Sequence, residues 1–132
     1  MEKLMIEATK SSPSICFDPK ANFLEIKGES YPENSATFYK PLFAMLDLYL
    51  SSAPLRDETF EVNLEIVYFN SISSKILMNF FEALDGAAEN GKKIVVNWRY
   101  HEENDTALEC GEEFMEGISA VAFNLVMIDM VK

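Results

Sequence analysis

Asn70-Ser71-Ile72-Ser73-Ser74-Lys75 sets three hydroxyls, an amide and an ammonium at a junction between two differently patterned runs. The run before it alternates apolar and polar residues, as a strand does. The run after it repeats apolar residues at helical spacing. A hydroxyl or amide at such a junction caps the free N–H groups of the first helical turn. One cap needs one side chain, so three serines exceed that need. Lys75 also sits in the first turn, where the helix dipole favours negative charge. A phosphoryl group on Ser71 would bring about two negative charges and three acceptor oxygens to those N–H groups. The N–H groups and Lys75 would hold it with little rearrangement. The chemistry this cluster suits is reversible anion binding at a helix start; simple capping is the plainer alternative.

A second cluster is Gly28-Glu29-Ser30-Tyr31-Pro32-Glu33-Asn34. Gly28 ends a strand, Pro32 fixes an extended approach to a helix, and Ser30 or Asn34 can cap that helix. Its polar groups and aromatic ring exceed what a connection needs, and they suit a docking surface.

Other chemistry-bearing residues carry less. His101 is the one histidine, and Glu102-Glu103-Asn104-Asp105 follows it, so no zinc-binding His-Glu-x-x-His exists. A small hydrolase using Ser71 or Cys110 with His101 is a minor reading. The acids Glu102, Glu103, Asp105, Glu109, Glu112, Glu113 and Glu116 lack the spacing and turn glycine of a calcium loop. They suit a solvated helix face, or an acidic patch for a partner. The five glycines are scattered, so no phosphate-cradling loop is present. Cys16 and Cys110 form no Cys-x-x-Cys pair and read as idle or buried thiols. Trp98, in a β-rich run, reads as core. No cofactor and no metal is expected.

These residues must be positioned by a fold that 132 residues can build around one core, residues 1–132 forming one domain. Ten Phe and five Tyr, in a chain 48% hydrophobic and 25% charged, supply that core. Residues 4–9 and 14–17 are weak strands, and Phe23-Leu24-Glu25-Ile26-Lys27 is a strand stopped by Gly28. Residues 33–50 form a helix, with Pro41 kinking it or marking its true start, and Ser51-Ser52-Ala53-Pro54 ending it. Residues 60–69 are the clearest strand, entering at the rim and ending buried. Residues 72–89 form the second helix, closed by Asn90-Gly91. Then come a strand at 94–98, an acidic helix from Asn104 or Asp105 to about Met115, and a strand at 118–128. Strand–helix alternation in the last two thirds argues for parallel βαβ units. The first strands form an antiparallel hairpin at one edge. The fold class is α/β: a mixed, mostly parallel sheet of about four to six strands with helices packed on it.

The formal net charge of −11 at pH 7 opposes binding to nucleic-acid backbones or anionic lipid. It suits a basic protein partner, or solubility alone. No apolar run approaches a membrane span. The residues from Met1 to Glu7 lack a signal peptide's apolar centre, so a cytoplasmic protein without membrane insertion is expected.

Three segments together resemble the SiaC family of bacterial regulatory phosphoproteins. They are Gly28–Asn34, Tyr68-Phe69-Asn70-Ser71-Ile72-Ser73-Ser74-Lys75, and Val96-Asn97-Trp98-Arg99-Tyr100 with Gly111-Glu112-Glu113-Phe114 beyond it. The resemblance spans nearly the whole chain. It implies a fold similar to anti-anti-sigma factors, the STAS domains, which carry a phosphorylatable Ser or Thr where a helix follows a central strand. By matching position the phosphoacceptor is Ser71, after Asn70. Ile72 departs from the family pattern, which commonly has a small hydroxyl residue there. The resemblance also implies a partner-switching circuit in cyclic di-GMP signalling. A Ser/Thr kinase adds the phosphate, a PP2C-like phosphatase removes it, and the unphosphorylated form binds and activates a diguanylate cyclase. The chain is therefore expected to be a non-enzymatic, phosphorylation-controlled regulator, with a constitutive protein-binding scaffold as the alternative.

Overall fold

In a computed structural model, residues 2–52 and 58–128 are described. Strands β1 (Leu4–Ile6), β2 (Ser14–Asp18) and β3 (Phe23–Ser30) are followed by helix α1 (Ser35–Ser51), β4 (Phe60–Phe69), α2 (Ser71–Glu89), β5 (Ile94–His101), α3 (Asp105–Glu116) and β6 (Ala122–Ile128). The six strands form one sheet in sequential order. β1, β2 and β3 pair antiparallel, while β3, β4, β5 and β6 run parallel. The expected edge hairpin is thus a three-stranded meander.

Alternation decides which face is buried. Leu24, Val62 and Val96 lie side by side across three strands, as do Ile26, Leu64 and Trp98. Tyr39, Leu42 and Leu46 of α1, Leu77, Phe80 and Leu84 of α2, and Phe114 of α3 close over those rows in one core. All three helices therefore cover the same face. The other face carries the intervening polar residues. There Asn124 Nδ2 donates to Asn97 Oδ1 at 3.0 Å, Asn97 Nδ2 to Asn63 Oδ1 at 2.8 Å, and Asn63 Nδ2 to a Glu61 oxygen at 2.9 Å.

Several boundaries differ from expectation. β1 is shorter than residues 4–9. β3 does not stop at Gly28 but passes through it to Ser30, with a register shift between Gly28 and Glu29. Gly28 has φ +130°, and a side chain there would begin 3.3 Å from Pro13 Cα, so only glycine fits this bulge. α1 runs on through exposed Pro41, because Asn34 has already capped it by accepting from Thr37 N. Ser52 is its C-cap; Ala53 and Pro54 lie outside the described residues. β4 does not end wholly buried: Val67 is 44% and Tyr68 53% exposed where the register with β3 shifts, while Phe69 beyond them is half-buried and meets the rings of Trp98 and Phe114. β5 extends three residues past Trp98. β6 begins only at Ala122, because Asp85 captures the preceding backbone, accepting from Ser119 N, Ala120 N and Val121 N.

Candidate functional site

Parallel pairing of β3 and β4 brings their C-terminal ends together, Glu29 beside Tyr68 and Ser30 beside Phe69. Helix α1 starts just beyond the first strand and α2 just beyond the second. The two sequence clusters, far apart in the chain, therefore meet at one end of the sheet.

Asn70 is the N-cap of α2, its Oδ1 accepting from Ser73 N at 2.9 Å. That leaves Ser71 in the first helical position with no capping task. Ser71 is exposed, and its hydroxyl makes no hydrogen bond among the described residues. Neither α1 nor α2 has an acid in its first turn, although the whole chain carries −11. Two helix N-termini, neither with an acid in its own first turn, thus start from the same end of the sheet. Lys75 is exposed one turn beyond Ser71.

The other serines do different work. Ser73 is fully buried. Ser30 Oγ donates to Ser73 Oγ at 2.9 Å and accepts from Tyr39 Oη at 2.5 Å, and Ser35 Oγ lies 3.3 Å from Ser73 Oγ. Burial pushes the Tyr39 phenol up, with the Ser30 bond pulling the other way, so the phenol stays a neutral donor. This hydroxyl cluster locks the starts of α1 and α2 onto the end of β3. Ser74 is half-buried and lines a groove of about 350 Å³ between α2 and α3. Ser30 and Ser73, both singled out with the docking motifs, are therefore internal fasteners and not contact surface. Asn34 caps α1, so Ser30 is not its cap.

A rim of exposed apolar side chains flanks Ser71 in the chain and at the adjoining strand ends. The rings of Tyr31 and Tyr68 meet edge to face, centroids 5.6 Å apart. Tyr68, Val67 and Ile72 are exposed, Ile72 by 62%. Glu29 and Glu33 are exposed beside it, and Gly28, Tyr31 and Pro32 are half-buried. Asn104, which caps α3 through Ala107 N, also donates from Nδ2 to Val67 O at 3.0 Å and ties α3 to the rim.

His101 is not placed for catalysis with either nucleophile. Its Nε2 lies 3.4 Å from a Glu65 oxygen on the open sheet face, and its buried Nδ1 has no partner. Cys110 lies on α3, across the sheet, and burial with Glu113 and Glu109 nearby pushes its thiol up. Among the described residues no cluster of three His, Cys, Asp or Glu is arranged to hold a metal ion.

Ser35 and Tyr39 were not singled out by sequence reasoning. Their signal is weak: a serine directly after a helix cap, and a tyrosine four residues later on the buried stripe.

The family model for SiaC family regulatory phosphoproteins matches residues 6–128. A Pseudomonas aeruginosa (strain UCBPP-PA14) protein is 31% identical over 119 residues, covering 90% of this chain and 92% of its own. The structure is similar to apo-SiaC of Pseudomonas aeruginosa, with TM-score 0.83 and 29% identity over 96% of this chain and 99% of that one. It is also similar to the SiaC in a complex described as the diguanylate cyclase SiaD with its activator SiaC, from the same species. There the TM-score is 0.87 and identity 30%, over 95% of this chain and 99% of that one.

Proposed function

The chain belongs to the SiaC family of regulatory phosphoproteins, and from that membership we propose that it is a phosphorylation-switched activator of a diguanylate cyclase. The observation that carries the switch is Ser71: exposed, in the first turn of α2, and relieved of structural duty because Asn70 is the cap. A serine that serves no bond in the fold is free to be modified without unfolding it.

The mechanism is local electrostatics. Unmodified, Ser71 is a small neutral group amid Tyr31, Tyr68 and Ile72, and a partner packs on that rim. Phosphorylated, it carries about two negative charges, which packing would have to desolvate. The α2 N–H groups and Lys75 stabilise the phosphate in the free protein and so favour the unbound state. A Ser/Thr kinase and a PP2C-like phosphatase set the balance, both reaching Ser71 from solvent. The protein acts by binding, in the cytoplasm, where nucleotide-consuming partners work. No helix among the described residues is long and apolar enough to cross a membrane.

The test is peptide mapping of protein purified from its own cells, followed by calorimetry with the cyclase. One phosphate on the Ser71 peptide is expected, with cyclase binding weakened at least tenfold in the phosphorylated form. Ser71→Ala should bind like wild type and refuse the phosphate. Ser71→Glu should weaken binding only in part, since a carboxylate carries less charge. A phosphate mapped to another residue, or phosphorylated protein that binds undiminished, would remove the switch and leave a constitutive scaffold.

A further inference from the structure

We propose that the groove between α2 and α3 seats a segment of the cyclase that is apolar at its Ser71 end and carries Lys or Arg at its other end. The proposal rests on the reading of the chain as a cyclase activator and says where, and in what polarity, the partner lies.

The groove encloses about 350 Å³. Its floor is the ring pair Phe81–Phe114, centroids 5.0 Å apart, and its α2 wall runs from Ser74 through Met78 to Glu82. Met78 is 52% exposed, an apolar side chain left in water on the groove's edge. Ser71, Ser74, Met78 and Glu82 follow helical spacing along one stripe of α2. The groove therefore opens one turn from Ser71, and its far end lies about 12 Å further along, at 1.5 Å per residue from Ser74 to Glu82.

Charge is unevenly spread along that length. β4 and β5 are parallel, so α2 and α3 both start at the Ser71 end and run the same way. Glu82 of α2 and Glu113 and Glu116 of α3 line the middle and far end, all exposed. The lining contains no Lys, Arg or His. Three carboxylates around an apolar floor are electrostatically complementary to a segment bearing cations. The uncharged mouth, at Ser74 and Met78, suits an apolar side chain instead.

This polarity explains how one phosphate can oppose binding to an otherwise attracted basic segment. The charge on Ser71 would face the segment's apolar end, which offers it no cation, so binding would have to desolvate the phosphate there. The cations are held about three turns away by the glutamates.

The experiment is calorimetry of the full chain with the diguanylate cyclase of its own organism. Met78→Glu should weaken binding at least tenfold. The double reversal Glu82→Lys/Glu116→Lys should do the same and flatten the salt dependence. Glu7→Lys, exposed near the opposite sheet edge, should change affinity less than twofold. Circular dichroism checks that each variant folds. If both groove variants fold and bind like wild type, the groove is not the seat, while the cyclase reading stands. If wild type itself binds no cyclase, both fall together.

Discussion

Ser73, buried at the start of α2, accepts a 2.9 Å hydrogen bond from Ser30 at the end of β3, whereas Ser71, two residues earlier, is exposed and holds no bond. Neighbouring serines in one motif thus have opposite roles, and stability should separate them. Ser73→Ala leaves the Ser30 donor without its acceptor in a buried site, which costs about 1–3 kcal/mol. Ser71→Ala should stay within about 0.5 kcal/mol of wild type, as an exposed substitution that removes neither the cap nor a hydrogen bond. Urea unfolding of the two variants decides it; equal losses would mean Ser71 has a structural partner after all.

Gly111 is a packing requirement of the only tryptophan. A methyl group at Gly111 would begin 2.5 Å from Trp98 Cδ1 and 2.9 Å from Leu125 Cδ2. Trp98 cannot easily retreat, because its Nε1 donates to Ala107 O at 2.9 Å. Gly111→Ala should therefore destabilise by about 1–3 kcal/mol through overpacking. The indole emission should shift as that hydrogen bond loosens. Unchanged emission and stability would show that α3 can lift without cost.

How much of this was legible in the sequence depends on the range of the interaction. Asn70, Asn104 and the stripes of α2 were readable because caps and helical periodicity are local. The Gly28 bulge was misread as a strand end, since φ +130° closes a strand or bends it depending on what lies alongside, here Pro13. The burial of Ser30 and Ser73 was not legible. Only the parallel pairing of β3 with β4 brings residues 30 and 73 together, and no periodicity encodes that contact. The exposure of Val67 and Tyr68 was hidden for the same reason: strict alternation does not show the register shift against β3 that skips Val67 and pairs Tyr68 with Glu29. The Ser71 region was nonetheless singled out correctly as a strand-to-helix junction, because that depends on local chemistry.

Asp85 makes stability depend on pH in a definite direction. Partial burial pushes its carboxyl up, but the N–H groups of Ala120, Ser119 and Val121 and the Ser119 hydroxyl outweigh that and hold it below the usual carboxylate range. A folded value below the unfolded one means the ionised form is favoured by folding. That contribution is complete above the unfolded value of about 3.9 and fades as pH falls through the lower folded value. Asp85→Asn should therefore be less stable than wild type at pH 7, with the gap closing as pH falls below the unfolded carboxylate value. Melting curves across that window check it; a gap that stays constant would assign the loss to geometry alone.

Tyr68 should prove a binding residue and not a stabilising one. Its ring is 53% exposed and touches Tyr31 edge to face at 5.6 Å, outside the main core. An exposed aromatic pair beside the proposed switch serine has the makeup of an interface anchor, where truncation commonly costs about 1–4 kcal/mol of binding. Tyr68→Ala should then lower cyclase affinity at least tenfold, while the unfolding midpoint moves little because few contacts are lost. Tyr68→Phe should retain most of the affinity, since the ring and not the hydroxyl does the packing. Calorimetry and urea unfolding on the same preparations separate the two effects. A Tyr68→Ala protein that unfolds earlier yet binds fully would make the pair a brace for the β4 end, and the docking surface would have to exclude it.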